Sequence, residues 1–162
     1  KLKIELLGAE KELVYMHSTN NSELSNLYLL AKHHAYRTTP EDIEKAFVYI
    51  NKMKELDDKY APGYLMEGFI YQNIGGGGLA QVPPKVGIPK SNEAFLKAIK
   101  LNSEYGDPHA YISYNYIFFE RNLVKAKYHI EHIFKCIAHI FLTVGAKVQI
   151  LIFLNQKNQQ KN

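Results

Sequence analysis

An all-α domain of stacked antiparallel helical hairpins is what this sequence predicts, on three observations. Apolar residues recur at three- and four-residue spacing, as in Ile43, Ala46, Phe47, Ile50, Met53 and Leu56. Most breaks between such stretches are short and carry Pro, Asp, Asn or Gly, so neighbouring helices should lie antiparallel. Two segments also repeat one another, and strand signals are poor until residue 148.

With 162 residues, the chain has the length of one domain with a sizeable core. Apolar residues are 46% and charged residues 22%, which excludes a disordered polyampholyte. The net charge of +4 is small and dispersed, so no nucleic-acid partner is expected. Trp is absent while Tyr occurs 12 times, and a Tyr ring can fill an interhelix gap while its hydroxyl reaches water. Cys136 is the lone cysteine, so no intrachain disulfide forms and the redox compartment stays open. The first residues, Lys1-Leu2-Lys3-Ile4, lack the apolar run of a signal peptide. A soluble protein, cytoplasmic or periplasmic, is expected.

In chain order, Ile4, Leu6, Leu7, Leu13 and Val14 suggest a short helix over 3–16 that Gly8 weakens. A polar break follows, with Ser22 as the expected cap of the next helix through Leu24, Leu27, Tyr28, Ala31 and Ala35. Thr39 is placed to cap a third helix, with Pro40 at its first position and Asp42 in its first turn. Residues 57–62 form a turn. Tyr64, Leu65, Gly68, Phe69 and Tyr71 make the next helix, which Ile74 ends. Gly75 to Gly78, Pro83-Pro84 and Pro89 predict a long loop over 75–90. Ser91 is the expected cap of a helix through Ala94, Phe95, Ala98 and Leu101. Further helices start at Asp107-Pro108 and at Asn122.

The repeat aligns Lys52–Tyr60 with Lys97–Tyr105. Each reads as a helix end, a Leu-Asx turn and a Tyr. An aromatic-rich helix follows each, Tyr64-x-x-Glu67-Gly68-x-x-Tyr71 in one and Ala110-x-x-Ser113-Tyr114-x-x-Ile117 in the other. Leu27-x2-Leu30-Ala31-x2-His34 fits the same first-helix pattern. Ala46-x3-Ile50-x2-Met53, Ser91-x3-Phe95-x2-Ala98 and Ala126-x3-Ile130-x2-Ile133 fit a second-helix pattern. In this the chain resembles the tetratricopeptide repeat (TPR) family over about two-thirds of its length. Asp58 and Ser103 stand where that family usually carries Pro. The small residues Ala31, Gly68 and Ala98 would let helices approach closely.

The resemblance implies three hairpins, roughly 23–56, 61–102 and 107–135, in a repeat domain over 1–135, stacked as an α-α superhelix. It also implies a concave groove lined by each hairpin's first helix. Groove candidates are then Tyr28, Lys32, Ala35 and Tyr36; Leu65, Phe69, Gln72 and Asn73; and Tyr111, Asn115 and Phe118. Aromatics supply contact area and amides pair with peptide backbone, so a protein or peptide is the expected partner. The alternative for each aromatic is core filling. The cationic clamp that some TPR proteins close on an acidic tail is suggested only by Lys32 and Asn115, so it is not expected here.

Three features compete with this reading. His129, His132, Cys136 and His139 share one helix face and are good zinc or copper ligands. They span about 15 Å of helix, so no single ion can gather all four. The glycine run lacks the Gly-Lys-Ser/Thr ending of a phosphate loop, since Leu79-Ala80-Gln81-Val82 follows it. Flexible linking is therefore its expected role, with Val82, Val86 and Ile88 free to fold over the groove. No Ser-His-Asp set, paired-carboxylate motif or dinucleotide fingerprint occurs, so neither enzymatic activity nor a cofactor is expected.

The C-terminal part, residues 136–162, continues the apolar stripe through Ile137, Ile140, Phe141, Val144, Val148 and Leu151 before a polar tail over 155–162. One helix, a helix broken near Gly145, or a strand over 148–154 all fit that pattern. His139, Lys147 and Gln149 argue against a membrane span. Its apolar character on more than one side suggests a homodimer contact. A binding scaffold is the expectation these features favour, with an envelope or periplasmic assembly factor and a metal-responsive regulator on the histidine face as alternatives.

Overall fold

The structure, a computed structural model, describes residues 21–76 and 81–139. Helix α1 is Ser22–Arg37, α2 Pro40–Leu56, α3 Ala61–Gly76, α4 Pro84–Leu101 and α5 Gly106–Phe118. A sixth helix, α6, covers residues 123–139. They pack as consecutive antiparallel pairs, most extensively α3 with α4 and α1 with α2, and α1 and α5 also touch α3. The expected helix over 3–16 and everything expected of residues 140–162 lie outside the described residues.

The start of α2 is as the sequence predicts. Thr39 Oγ1 accepts the Asp42 backbone N–H at 3.1 Å, and Pro40 opens the helix where no N–H is needed. The Asp42 carboxylate then accepts from Thr39 Oγ1 at 2.9 Å and lies 2.6 Å from His34 Nδ1 and 3.3 Å from Arg37 Nε. The His34 and Thr39 hydrogen bonds hold the Asp42 pKa below the usual carboxylate range. This cluster locks the α1–α2 turn, where Thr38 adopts φ 62°, a conformation unfavourable for a β-branched residue. The cap of α1 differs from expectation. Asn21, not Ser22, receives the Glu23 and Leu24 N–H groups, at 3.0 and 3.4 Å.

The internal repeat is real at the level of hydrogen bonds. The Asp57 N–H donates to Met53 O and the Asn102 N–H to Ala98 O, at 2.9 and 3.0 Å. Each Asx side chain then accepts from the N–H two residues on, Lys59 at 2.9 Å and Glu104 at 3.1 Å. Tyr60 and Tyr105 each close the turn onto the Asx carbonyl at 3.2 Å, and both are buried. Equal sequence thus gives equal turn geometry, because Asp and Asn side chains mimic a backbone turn.

The expected loop over 75–90 is corrected. Gly75 and Gly76 complete α3 and Pro84 begins α4, so helix covers both ends of that span. Pro83 and Pro84 occupy the cap and first position, where a missing N–H is harmless, and Pro83 O accepts from Val86 and Gly87. Pro89 sits inside α4. Ser91 is therefore mid-helix and buried rather than a cap.

Those glycines serve packing instead. A Cβ on Gly75 would fall 2.6 Å from Gly87 Cα, and one on Gly87 would fall 2.5 Å from Gly75 Cα. The backbones of α3 and α4 touch there, which only glycine permits. Gly76 likewise leaves room for the Phe119 ring and Ile88, and Gly68 for the Phe95 ring. Ala31 and Ala98 are fully buried, as their small size suggested.

Helix α3 carries apolar residues on two opposite sides because it lies between two cores. Met66, Ile70 and Ile74 join Leu24, Ala31, Ile43, Ile50 and Met53 of α1 and α2. Ala61 and Leu65 face the other way, toward Phe95, Tyr105, Ile112, Tyr116 and Ala126.

Candidate functional site

Each first helix of a pair contributes a ring to one face. Tyr36 of α1 packs on Phe69 of α3 with ring centroids 5.0 Å apart, and Phe69 meets Tyr111 of α5 edge-on at 5.6 Å. Tyr111 stacks in turn on Phe95 of α4 at 5.4 Å, which ties the row to the core. Burial, then the neighbouring Tyr36, push the Tyr111 hydroxyl up to about 12, so it stays a neutral donor.

Beside this row lies a cavity of about 410 Å³ between α3 and α5. Phe69, Tyr111, Tyr114 and Phe119 form its walls, and Gln72 and Asn73 supply amides. Tyr114 continues the aromatic surface to Phe118, with centroids 4.5 Å apart. Tyr36 is 59% exposed, Phe118 59% and Tyr114 47%, large values for rings of this size.

Under the cavity runs a buried amide chain. Gln72 Nε2 donates to Asn115 Oδ1 at 2.6 Å. Asn115 Nδ2 faces Ser91 Oγ at 3.1 Å and Asn92 Oδ1 at 2.8 Å, and Asn92 Nδ2 donates to Glu120 Oε1 at 2.7 Å. Three helices are pinned by these bonds, and an unpaired amide there would be costly.

Of the residues expected in a groove, Tyr36, Phe69, Gln72, Asn73 and Tyr111 come together at this cavity or on the ring row leading to it. Phe118 stands at its edge. Lys32 is exposed on α1, and Tyr28 packs against the first core. Leu65, Ala35 and Asn115 are corrected. They are buried, Asn115 at 0% exposure, because their turns of helix face neighbouring helices rather than an open side. Gln72 is also largely buried, since its amide is engaged from below. Tyr114 and Phe119 were missed, although the aromatic density of residues 111–119 was a signal for both.

Of the histidine face, His129 and His132 both pack on His109, with ring centroids 5.0 and 5.1 Å away, while Cys136 and His139 make other contacts. His129 Nδ1 lies 2.9 Å from His109 Nδ1, His132 Nδ1 donates to Tyr128 O at 2.9 Å, and His139 approaches Glu104 at 3.8 Å. Cys136 Cβ lies against Gly106. Among the described residues no group of three or more His, Cys, Asp or Glu side chains converges as a metal would require. The His109–His129 contact crosses from α5 to α6 inside the core. The His109 Nε2 atom is buried without a partner. A lone pair there is less costly than an N–H, so His109 carries its proton on Nδ1 and donates to His129. Burial lowers both pKa values to about 4, with the adjacent imidazoles adding to the effect.

Among the described residues no helix is long and apolar enough to cross a membrane. No family model, no curated protein and no solved structure matches the chain.

Proposed function

We propose that the chain is a non-enzymatic binding module of TPR type, which grips a polypeptide on the face shared by α1, α3 and α5. In this reading the paired helices extend as a superhelix and that face is its concave side. One observation carries it: rings from all three first helices, exposed at Tyr36 and half-buried at Phe69 and Tyr111, form a continuous row beside a cavity with an amide at its base. Rings of Tyr and Phe desolvate readily and lose little rotamer freedom on binding, and the Asn73 amide can pair with peptide backbone. The cavity accommodates one large apolar side chain of the partner.

The test is selection of binders from a random peptide display library against the purified chain. Enriched peptides should carry an aromatic or large aliphatic residue. Tyr36→Ala/Tyr114→Ala, which removes exposed rings only, should weaken them by about 2 kcal/mol. Peptides that bind this double variant as well as the parent would refute the assignment.

A further inference from the structure

A larger opening, about 680 Å³, lies between α2, α3 and α4. It uses the side of α3 opposite the aromatic row, because Tyr64, Glu67 and Tyr71 fall roughly half a helical turn from Phe69, Gln72 and Asn73. Its character is different: lysines over tyrosine rings. Lys54 Nζ stands 4.6 Å and Lys97 Nζ 5.7 Å from the Tyr64 ring centroid, and Lys90 Nζ stands 5.3 Å from that of Tyr71. Lys54 is also engaged by Glu67 at 2.6 Å. Lys90, Lys97 and Lys100 have no carboxylate of the described residues within ion-pair distance, and Glu93 is the other acid in the lining.

We infer that this channel is a second binding site, for an acidic peptide segment. The ammonium groups of Lys54, Lys90 and Lys97 stand over tyrosine rings, so they are positioned before any ligand arrives. Lys90, Lys97 and Lys100 recur at seven and three residues on one face of α4 and span about 15 Å. One compact anion cannot bridge that distance, whereas carboxylates spaced along a peptide can. Glu93 lies between Lys90 and Lys97 and opposes a polyphosphate, whose charge is continuous. A peptide can place an uncharged residue against it. The cation set is entirely Lys, without the Arg fork that suits bidentate phosphate recognition. Leu96 leaves exposed apolar surface for residues between the carboxylates.

The probe is a fluorescein-labelled peptide of alternating Glu and Leu, followed by fluorescence anisotropy with the whole chain. Saturable binding that weakens with added salt is expected. Lys97→Glu/Lys100→Glu should weaken it by about tenfold or more, while Lys45→Glu/Lys52→Glu, an equal charge change outside the channel, should alter it by less than about twofold. Tyr36→Ala/Tyr114→Ala should leave it intact, with the fold of every variant checked by circular dichroism. Absence of binding overturns the inference, as does equal loss in the two charge-reversal variants. Equal affinity for an oligothymidylate of matched charge overturns it in favour of nucleic acid. Loss confined to Tyr36→Ala/Tyr114→Ala would overturn it while supporting the aromatic face.

Discussion

The two sides of α3 are joined to the rest of the molecule by different means. Toward α1 and α2 the centre of the seam is dry, Met66, Ile70 and Ile74 against Ile43, Ile50 and Met53, with the Lys54–Glu67 ion pair at its edge. Toward α4 and α5 it combines a backbone contact at Gly75–Gly87, a ring laid on Gly68, and the Gln72–Asn115–Asn92 amide chain. A dry seam stabilises in proportion to buried area and accepts similar shapes. The second seam is directional. Hydrogen bonds and a glycine contact fix the helix offset, and with it the position of α5 beside Phe69.

The contrast is most strongly tested at the glycine contact. Gly87→Ala should destabilise the fold by about 3–4 kcal/mol, since both opposing groups are backbone and cannot rotate away. Helix propensity alone would favour Ala by about 1 kcal/mol. Gly63→Ala is the matched control. Its Cβ would meet Met53 Cβ at 3.8 Å, an ordinary contact, so it should be neutral or stabilising. Urea denaturation of both variants decides the point, and similar midpoints would mean that the helices are not in backbone contact.

Next in size is the amide chain. Asn115→Ala removes the partner of Asn92 Oδ1 and leaves Gln72 Nε2 only its 3.3 Å bond to Tyr111 O, and should cost about 3 kcal/mol, whereas Ile50→Val in the dry seam should cost about 1 kcal/mol. An Asn115 variant as mild as Ile50→Val would show that the network contributes little.

Smallest is the effect of acid on the α5–α6 contact. The His109 and His129 pKa values lie near 6.5 unfolded and about 4 folded. The unfolded chain therefore binds more protons between those limits. Stability from the pair is complete above pH 6.5 and is lost as pH falls toward 4. Full linkage would be about 2 kcal/mol for each histidine; discounted by about half for solvent screening and for the coupling of the two sites, lowering pH from 7.5 to 5 should cost about 2 kcal/mol for the pair, an effect that His109→Phe/His129→Phe should abolish. Equal pH dependence in parent and variant would place the titrating groups elsewhere.

How far the sequence was legible depended on the range of the interaction concerned. Thr39, Pro40 and Asp42 announce the start of α2 because capping joins residues three apart. The Asp57 and Asn102 turns are legible for the same reason. Residues 84–90 were not, because Gly and Pro were weighed as local breakers. Their partners lie elsewhere in the chain, Gly75 on α3 for Gly87 and Phe119 just past α5 for Gly76. The site divides likewise. Tyr36, Phe69 and Tyr111 could be proposed from a repeat pattern, while Asn115 sits on the same helix as Tyr111 but faces inward.

By itself, then, the amino-acid order determined the all-α class, the pairing of helices and the two matching turns, since periodicity and capping act within a few residues. Only the tertiary structure decided that glycines 75 and 87 are a crossing point rather than a loop, that Asn115 is buried, and that four lysines line a channel opposite the aromatic row. Each of these depends on which faces of distant helices meet. That is fixed by close packing and by the need to pair every buried polar group, not by any one segment's preferences.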